Sequence, residues 1–125
     1  MNVFLKNLWA VAQVAGCYVV IVFGQALWKL GINKIRVPDE PVSSFLWKYI
    51  TSWYFLTGAA AYIVATAIWI YILSKYDFNL VYPMNSIGYI FAIFLSLVIF
   101  HESIPFNRYI GIIVIIFGII LLSIK

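Results

Sequence analysis

The chain has 125 residues, 66% of them hydrophobic and 10% charged, with a net charge of +4. Soluble domains carry about 25% charged residues, so a surface built to face water is excluded, and the length suits one domain. The basic balance points away from nucleic acid, because the Lys and Arg residues flank apolar runs and can meet anionic headgroups.

A spanning helix needs roughly 20 mostly apolar residues to cross a hydrocarbon core of about 30 Å. Four runs approach that length and predict an all-α integral membrane protein: a single transmembrane domain, 1–125, with helices at about 8–29, 46–74, 79–100 and 107–124. The lone Cys17 falls inside the first helix, so no internal disulfide can form. That helix is too long for a signal-peptide core, no small-residue cleavage site follows it, and it is expected to be retained.

Near its end, Gln25 and Lys29 lie one turn apart and share a face. Lys29 has two readings. In one, its stem lies along apolar surface and the ammonium snorkels to the interface. In the other it faces a cavity, as intramembrane ionisable groups tend to. There, with Gln25, it receives a phosphate or carboxylate, and Gly24 allows close approach of a helix or ligand.

The first connection, 31–45, contains Arg36 and is kept from continuous helix by Pro38 and Pro41. LWKYITSW, 46–53, then places Trp47, Tyr49 and Trp53 around Lys48. A helix from Leu46 to Leu73 would be about 42 Å long, so this segment is expected to reach the headgroup region with its aromatics forming an interface belt. Only Lys75, Tyr76 and Asp77 separate helices two and three, which makes those helices antiparallel neighbours.

VYPMNS, 81–86, opens helix three. Pro83 lacks an N–H and would deprive the Asn79 carbonyl of its partner. The result is either a mild first-turn kink or an irregular helix end lining a wet cavity with Tyr82, Asn85 and Ser86. His101 and Glu102 supply too few ligands for a metal. Glu102 is expected to form a salt bridge or helix-end contact with Arg108 across the short loop. In helix four, Gly111 and Gly118 share nearly one face and permit close packing, either within the chain or at a dimer seam.

Lys29, Lys34, Arg36, Lys48 and Arg108 lie on the longer-loop side, and Lys6, Lys75 and Lys125 on the other. This favours the longer-loop side as cytoplasmic, with a bias weak enough to leave the orientation open. No nucleophile with a neighbouring base, phosphate loop, metal cluster or cofactor motif is present, so neither enzyme activity nor a cofactor is expected. Four helices lack a second repeat of their own, and transport would therefore need a dimer.

GQALWK (24–29), YPMNS (82–86), HE (101–102), Arg108 with Gly111, and the Gly111–Gly118 pair follow one another as in four-helix members of the drug/metabolite transporter superfamily. Within it the chain resembles the small subunits proposed to flip aminoarabinose-phosphoundecaprenol. More distantly it is similar to the small multidrug resistance transporters. The resemblance implies a flippase, or a flippase subunit, for a polyprenyl-phosphate-linked sugar in the cell (inner) membrane. It also implies a homodimer, or a heterodimer with a sister chain, joined through the helix-four glycines.

Lys29 and Gln25, with Arg36 or Arg108, would receive the phosphate of the lipid-linked sugar, and the polar end of helix three would face the sugar. The small exporters carry a helix-one glutamate that binds cation and proton in turn; the matching position here is Ile21, and helix one contains no acid. The alternatives are a small-metabolite or drug exporter, against which the missing carboxylate speaks, and a non-transporting membrane partner of a glycosyltransferase.

Overall fold

A computed structural model describes residues 2–124; Lys125, counted above among the flanking charges, lies outside the described residues. The helices are α1 (Val3–Ile35), α2 (Val42–Ile50), α3 (Trp53–Lys75), α4 (Phe78–Val81), α5 (Ile87–Val98) and α6 (Phe106–Ser123), with a 3-10 turn at Pro83–Ser86 before α5. Four segments are long and apolar enough to cross a membrane: α1, α3, the broken stretch Phe78–Val98, and α6. Large apolar side chains such as Phe23, Ile63, Phe94 and Ile113 are exposed on their outer faces. In water such a surface would aggregate; against lipid tails it is the expected covering. The chain is a multi-pass membrane protein.

The expected first helix, 8–29, is extended at both ends. α1 has 33 residues, about 50 Å of helix, because nothing before Pro38 forbids helical backbone and the Asn2 side chain caps its start by accepting from the Phe4 N–H at 3.3 Å. Lys29 is consequently not at the helix end but more than a turn inside it.

The expected second helix, 46–74, is instead two helices. Thr51 Oγ1 donates to the Trp47 carbonyl (2.9 Å) and Ser52 Oγ to the Tyr49 carbonyl (2.6 Å), closing α2. Ser52 Oγ also accepts from the Phe55 N–H at 3.3 Å and so caps α3. Short hydroxyl side chains compete with the helical ladder in this way and mark its breaks. Ahead of α2 the chain turns at Asp39 (φ 62°). The Glu40 carboxylate there takes the Lys48 ammonium and the Ser44 hydroxyl; these bonds, Lys48 first, hold Glu40 below the usual carboxylate range against the opposing effect of burial.

Of the expected aromatic belt, Trp47 and Trp53 are 73% and 77% exposed. Tyr49 does not join them. It is buried and donates its hydroxyl to the Trp28 carbonyl at 3.0 Å, fastening α2 to α1.

The most extensive contact is between α1 and α3. It buries Ala10, Val14, Cys17, Ala65 and Ile72, with Val81 and Met84 joining from the third span. Lipid tails are as apolar as leucine, so association here depends on close packing of small residues. Gly24 and Gly58 meet at the crossing, and a methyl group added at Gly24 would stand 3.1 Å from the Gly58 carbonyl oxygen. Gly24 therefore admits a helix and not a ligand. Over Gly58 lies Trp28, its indole N–H donating to the Phe55 carbonyl at 3.1 Å and its ring stacked between Phe55 and Tyr62.

α6 is held loosely, with only Ile119 and Ser123 buried. Cβ atoms added at Gly111 or Gly118 would meet nothing within 4 Å, so these glycines do not serve packing within the chain.

Candidate functional site

Tyr18, Ile21, Val22, Gln25 and Lys29 fall on one stripe of α1, and that stripe forms one wall of two adjoining cavities. The first, about 320 Å³, gathers Gln25, Lys29, Ser96, Phe100, Glu102 and Arg108 from α1, α5, α6 and the loop between the last two. The second, about 520 Å³, is lined by Gln25 again, by Tyr82, Pro83, Asn85 and Ser86, and by further tyrosines. Gln25 thus stands where the two meet.

At the first cavity, Glu102 departs from its expected partner. Its Oε1 accepts from the Lys29 ammonium and its Oε2 from the Ser96 hydroxyl. Arg108 lines the same cavity but makes no ion pair among the described residues. The reason lies in the loop backbone. α5 ends near Val98, His101 takes a left-handed conformation (φ 52°), and the Glu102 N–H returns to the Ser96 carbonyl at 3.1 Å. That turn aims Glu102 at α1 rather than along the chain toward Arg108.

Lys29 and then Ser96, by hydrogen bonding, hold the Glu102 carboxyl below its ordinary range against partial burial, and the Arg108 charge adds a longer-range pull. The two side chains are 46% and 43% exposed, so water and salt weaken the pair and leave it exchangeable. The Lys29 ammonium also lies 4.6 Å from the centre of the Phe100 ring.

At the second cavity Pro83 starts the 3-10 turn, where its missing N–H is harmless. Of the two readings of the start of the third span, the structure has the irregular helix end, a 3-10 turn along the cavity between Phe78–Val81 and Ile87–Val98. Such backbone is tolerated at membrane depth where it borders a cavity. Asn85 lines this cavity, and its Oδ1 is buried with no hydrogen-bond partner among the described residues.

Tyr18, Tyr62 and Tyr89 complete the wall. The Tyr18 ring fits only because position 88 is glycine, where a Cβ would come within 2.6 Å of it, and the ring stands edge-on to Trp69. These three tyrosines were not singled out from the sequence. For Tyr18 a signal existed, since it lies seven residues before Gln25 and thus nearly on its face.

Ile21 lines this cavity, and no carboxylate does. Arg36 lies apart from both cavities, exposed at the end of α1, about 10 Å along the helix from Lys29. The described residues contain no group of three or more His, Cys, Asp or Glu side chains able to hold a metal.

Neither a family model nor a solved structure matches this chain. Three relatives are informative. Over 127 aligned residues the chain is 28% identical to a Proteus mirabilis protein named "Probable 4-amino-4-deoxy-L-arabinose-phosphoundecaprenol flippase subunit ArnF", with 94% of this chain and 91% of that one covered. It is 32% identical over 77 residues to a protein of Aeromonas hydrophila named as subunit ArnE of the same flippase, covering 62% of this chain and 68% of the relative. With a protein of the same name from Aeromonas salmonicida it shares 30% identity over 100 residues, covering 80% and 84%.

Proposed function

Because the chain belongs to the family of 4-amino-4-deoxy-L-arabinose-phosphoundecaprenol flippase subunits, we propose that it moves the headgroup of a polyprenyl-phosphate-linked sugar across the bacterial inner membrane. The observation that carries this reading is the pair of adjoining cavities joined at Gln25, cationic at one end and lined with tyrosine at the other. The phosphate binds Lys29 and Arg108, with Gln25 donating beside them. The sugar lies across the junction at Gln25, one face against Tyr18, Tyr62, Tyr82 and Tyr89 with Asn85 and Ser86 meeting its hydroxyls, and its other edge in the first cavity. Aromatic walls with a few placed polar groups are the usual composition of a small-molecule site. The polyprenyl tail stays in the bilayer, so only the headgroup needs a polar path. Arg36 has no part in the site.

Ile21 supports a lipid phosphate over a lipophilic cation, because a cation entering the tyrosine cavity would find no counter-charge. Native mass spectrometry of the gently solubilised protein tests the reading. The expected spectrum contains retained polyprenyl-phosphate sugar. A chain that carries no such lipid, and moves none in reconstituted vesicles with every co-purifying subunit present, overturns it.

The active form in this reading is a pair, either two copies or this chain with a sister subunit, joined through α6. Its support is the open space at Gly111 and Gly118 beside the exposed Ile110, Val114, Phe117 and Leu121. The substitutions Gly111→Leu and Gly118→Leu are expected to leave helical content and detergent stability unchanged while eliminating the dimer mass. An unchanged dimer population in both variants rules out the α6 seam.

A further inference from the structure

Glu102 is the single carboxylate lining either cavity. It shares the first with two cations, Lys29 and Arg108, of which it engages only Lys29. An anion that binds at Lys29 therefore competes with Glu102 for the ammonium. A displaced carboxylate would then lack its cation and face an incoming negative charge, an arrangement disfavoured wherever water is partly excluded. Unless a new cation arrives, Glu102 opposes the very anion that Lys29 attracts.

The present contacts of this carboxylate indicate which new partner it would accept. Oε1 holds an alkylammonium and Oε2 holds a hydroxyl, the two donor types that an amino sugar presents. The backbone bond from the Glu102 N–H to the Ser96 carbonyl and the left-handed His101 set the course of the loop, and the Ser96 hydroxyl gives the carboxylate a second hold besides Lys29. We infer that Glu102 selects headgroups bearing a positively charged amine, exchanging the Lys29 ammonium for the amine of the ligand while the phosphate of that ligand takes Lys29.

In this exchange one internal ion pair becomes two intermolecular ones, and no charge is stranded. A neutral sugar phosphate breaks the internal pair and leaves Glu102 without a replacement. The carboxylate thus acts as a specificity filter for the headgroup, beyond its role as a tie between the 99–105 loop and α1. The inference rests on the flippase reading above.

The test is equilibrium binding to the full chain in nanodiscs, with any subunit that co-purifies. It compares an undecaprenyl-phosphate-linked amino sugar with the same lipid carrying a hydroxyl in place of the amine. The native protein is expected to prefer the amine lipid by about tenfold or more, the range of a hydrogen bond to a charged group. Glu102→Gln, which keeps the backbone bond to Ser96, brings the ratio near one, weakening the amine lipid while relieving the hydroxyl lipid of the stranded carboxylate. Acetylating the amine likewise brings the ratio near one in the native protein without any substitution, which covers a variant that does not fold.

If Glu102 were only a loop tie, Glu102→Gln would weaken both lipids equally. That result, or a native protein that binds both lipids equally well, overturns the inference and leaves the flippase reading standing. A native protein that binds neither lipid removes both.

Discussion

Lys29→Glu abolishes headgroup translocation in reconstituted vesicles, and Lys29→Ala lowers it by about ten- to a hundredfold, the range expected for losing a charge-assisted contact. The proposed role of Lys29 sets the direction, and its neighbour sets the severity. Removing the ammonium deletes a phosphate partner and also frees the Glu102 carboxylate inside the same cavity. Both changes oppose an anion. The added acid in Lys29→Glu brings a second negative charge next to the first.

Because the pair is nearly half exposed, its loss is not expected to unfold the chain, and circular dichroism should show unchanged helix. The double variant Lys29→Ala with Glu102→Gln separates the two effects. It removes the stranded carboxylate, and translocation should recover in part over Lys29→Ala alone without reaching the native rate. Unimpaired translocation by both single variants rules out the phosphate role.

The second large effect is on stability. Gly58→Ala should destabilise the protein by about 1–3 kcal/mol, the usual cost of forcing atoms into a well-packed contact, measured by unfolding in mixed micelles. A Cβ at position 58 would come within 2.3 Å of Trp28 Nε1 and 2.8 Å of the Gly24 carbonyl oxygen. Neither can move cheaply. The indole is bonded to the Phe55 carbonyl and sandwiched between Phe55 and Tyr62, and the carbonyl belongs to the α1 backbone. Gly16→Ala provides the contrast, because a Cβ there meets nothing within 4 Å and alanine is the better helix former. Gly16→Ala should be neutral or stabilising, and equal losses in the two variants would discount the crossing as the main fixed point of the bundle.

The four spans were legible in the sequence because burial in lipid demands long uncharged runs, and nothing else in a chain of this composition produces them. Their ends were less legible. α1 runs past 8–29 in both directions because polar residues such as Lys6, Asn33 and Lys34 are compatible with helical backbone, and Asn7 is accommodated by donating to the Ser123 carbonyl of α6 at 3.3 Å. The break at Thr51 and Ser52 was missed since it depends on where two hydroxyls donate, which a hydropathy pattern does not encode. The site divides in the same way. Gln25, Lys29, Tyr82, Asn85, Ser86 and Arg108 stand out in the sequence as polar groups in or beside apolar runs, and they line the two cavities. Arg36 was included on charge alone. Glu102 was matched to Arg108 on nearness in sequence, whereas its partner Lys29 is 73 residues away and reached only through the left-handed turn at His101.

The glycine crossing of α1 and α3 also bears on how the molecule can move. Two helices in backbone contact behave as one stiff beam, and the wall they provide, with Tyr18 and Gln25 on it, keeps its shape. The opposite wall is built from a broken span and from α6, which has two buried residues, and it is the compliant part. Among the described residues the Lys29–Glu102 pair is the sole ionic link between beam and compliant wall, Lys48 and Glu40 belonging to the first connection and α2. A ligand that trades places with that link therefore becomes the bridge between the stiff beam and the soft wall.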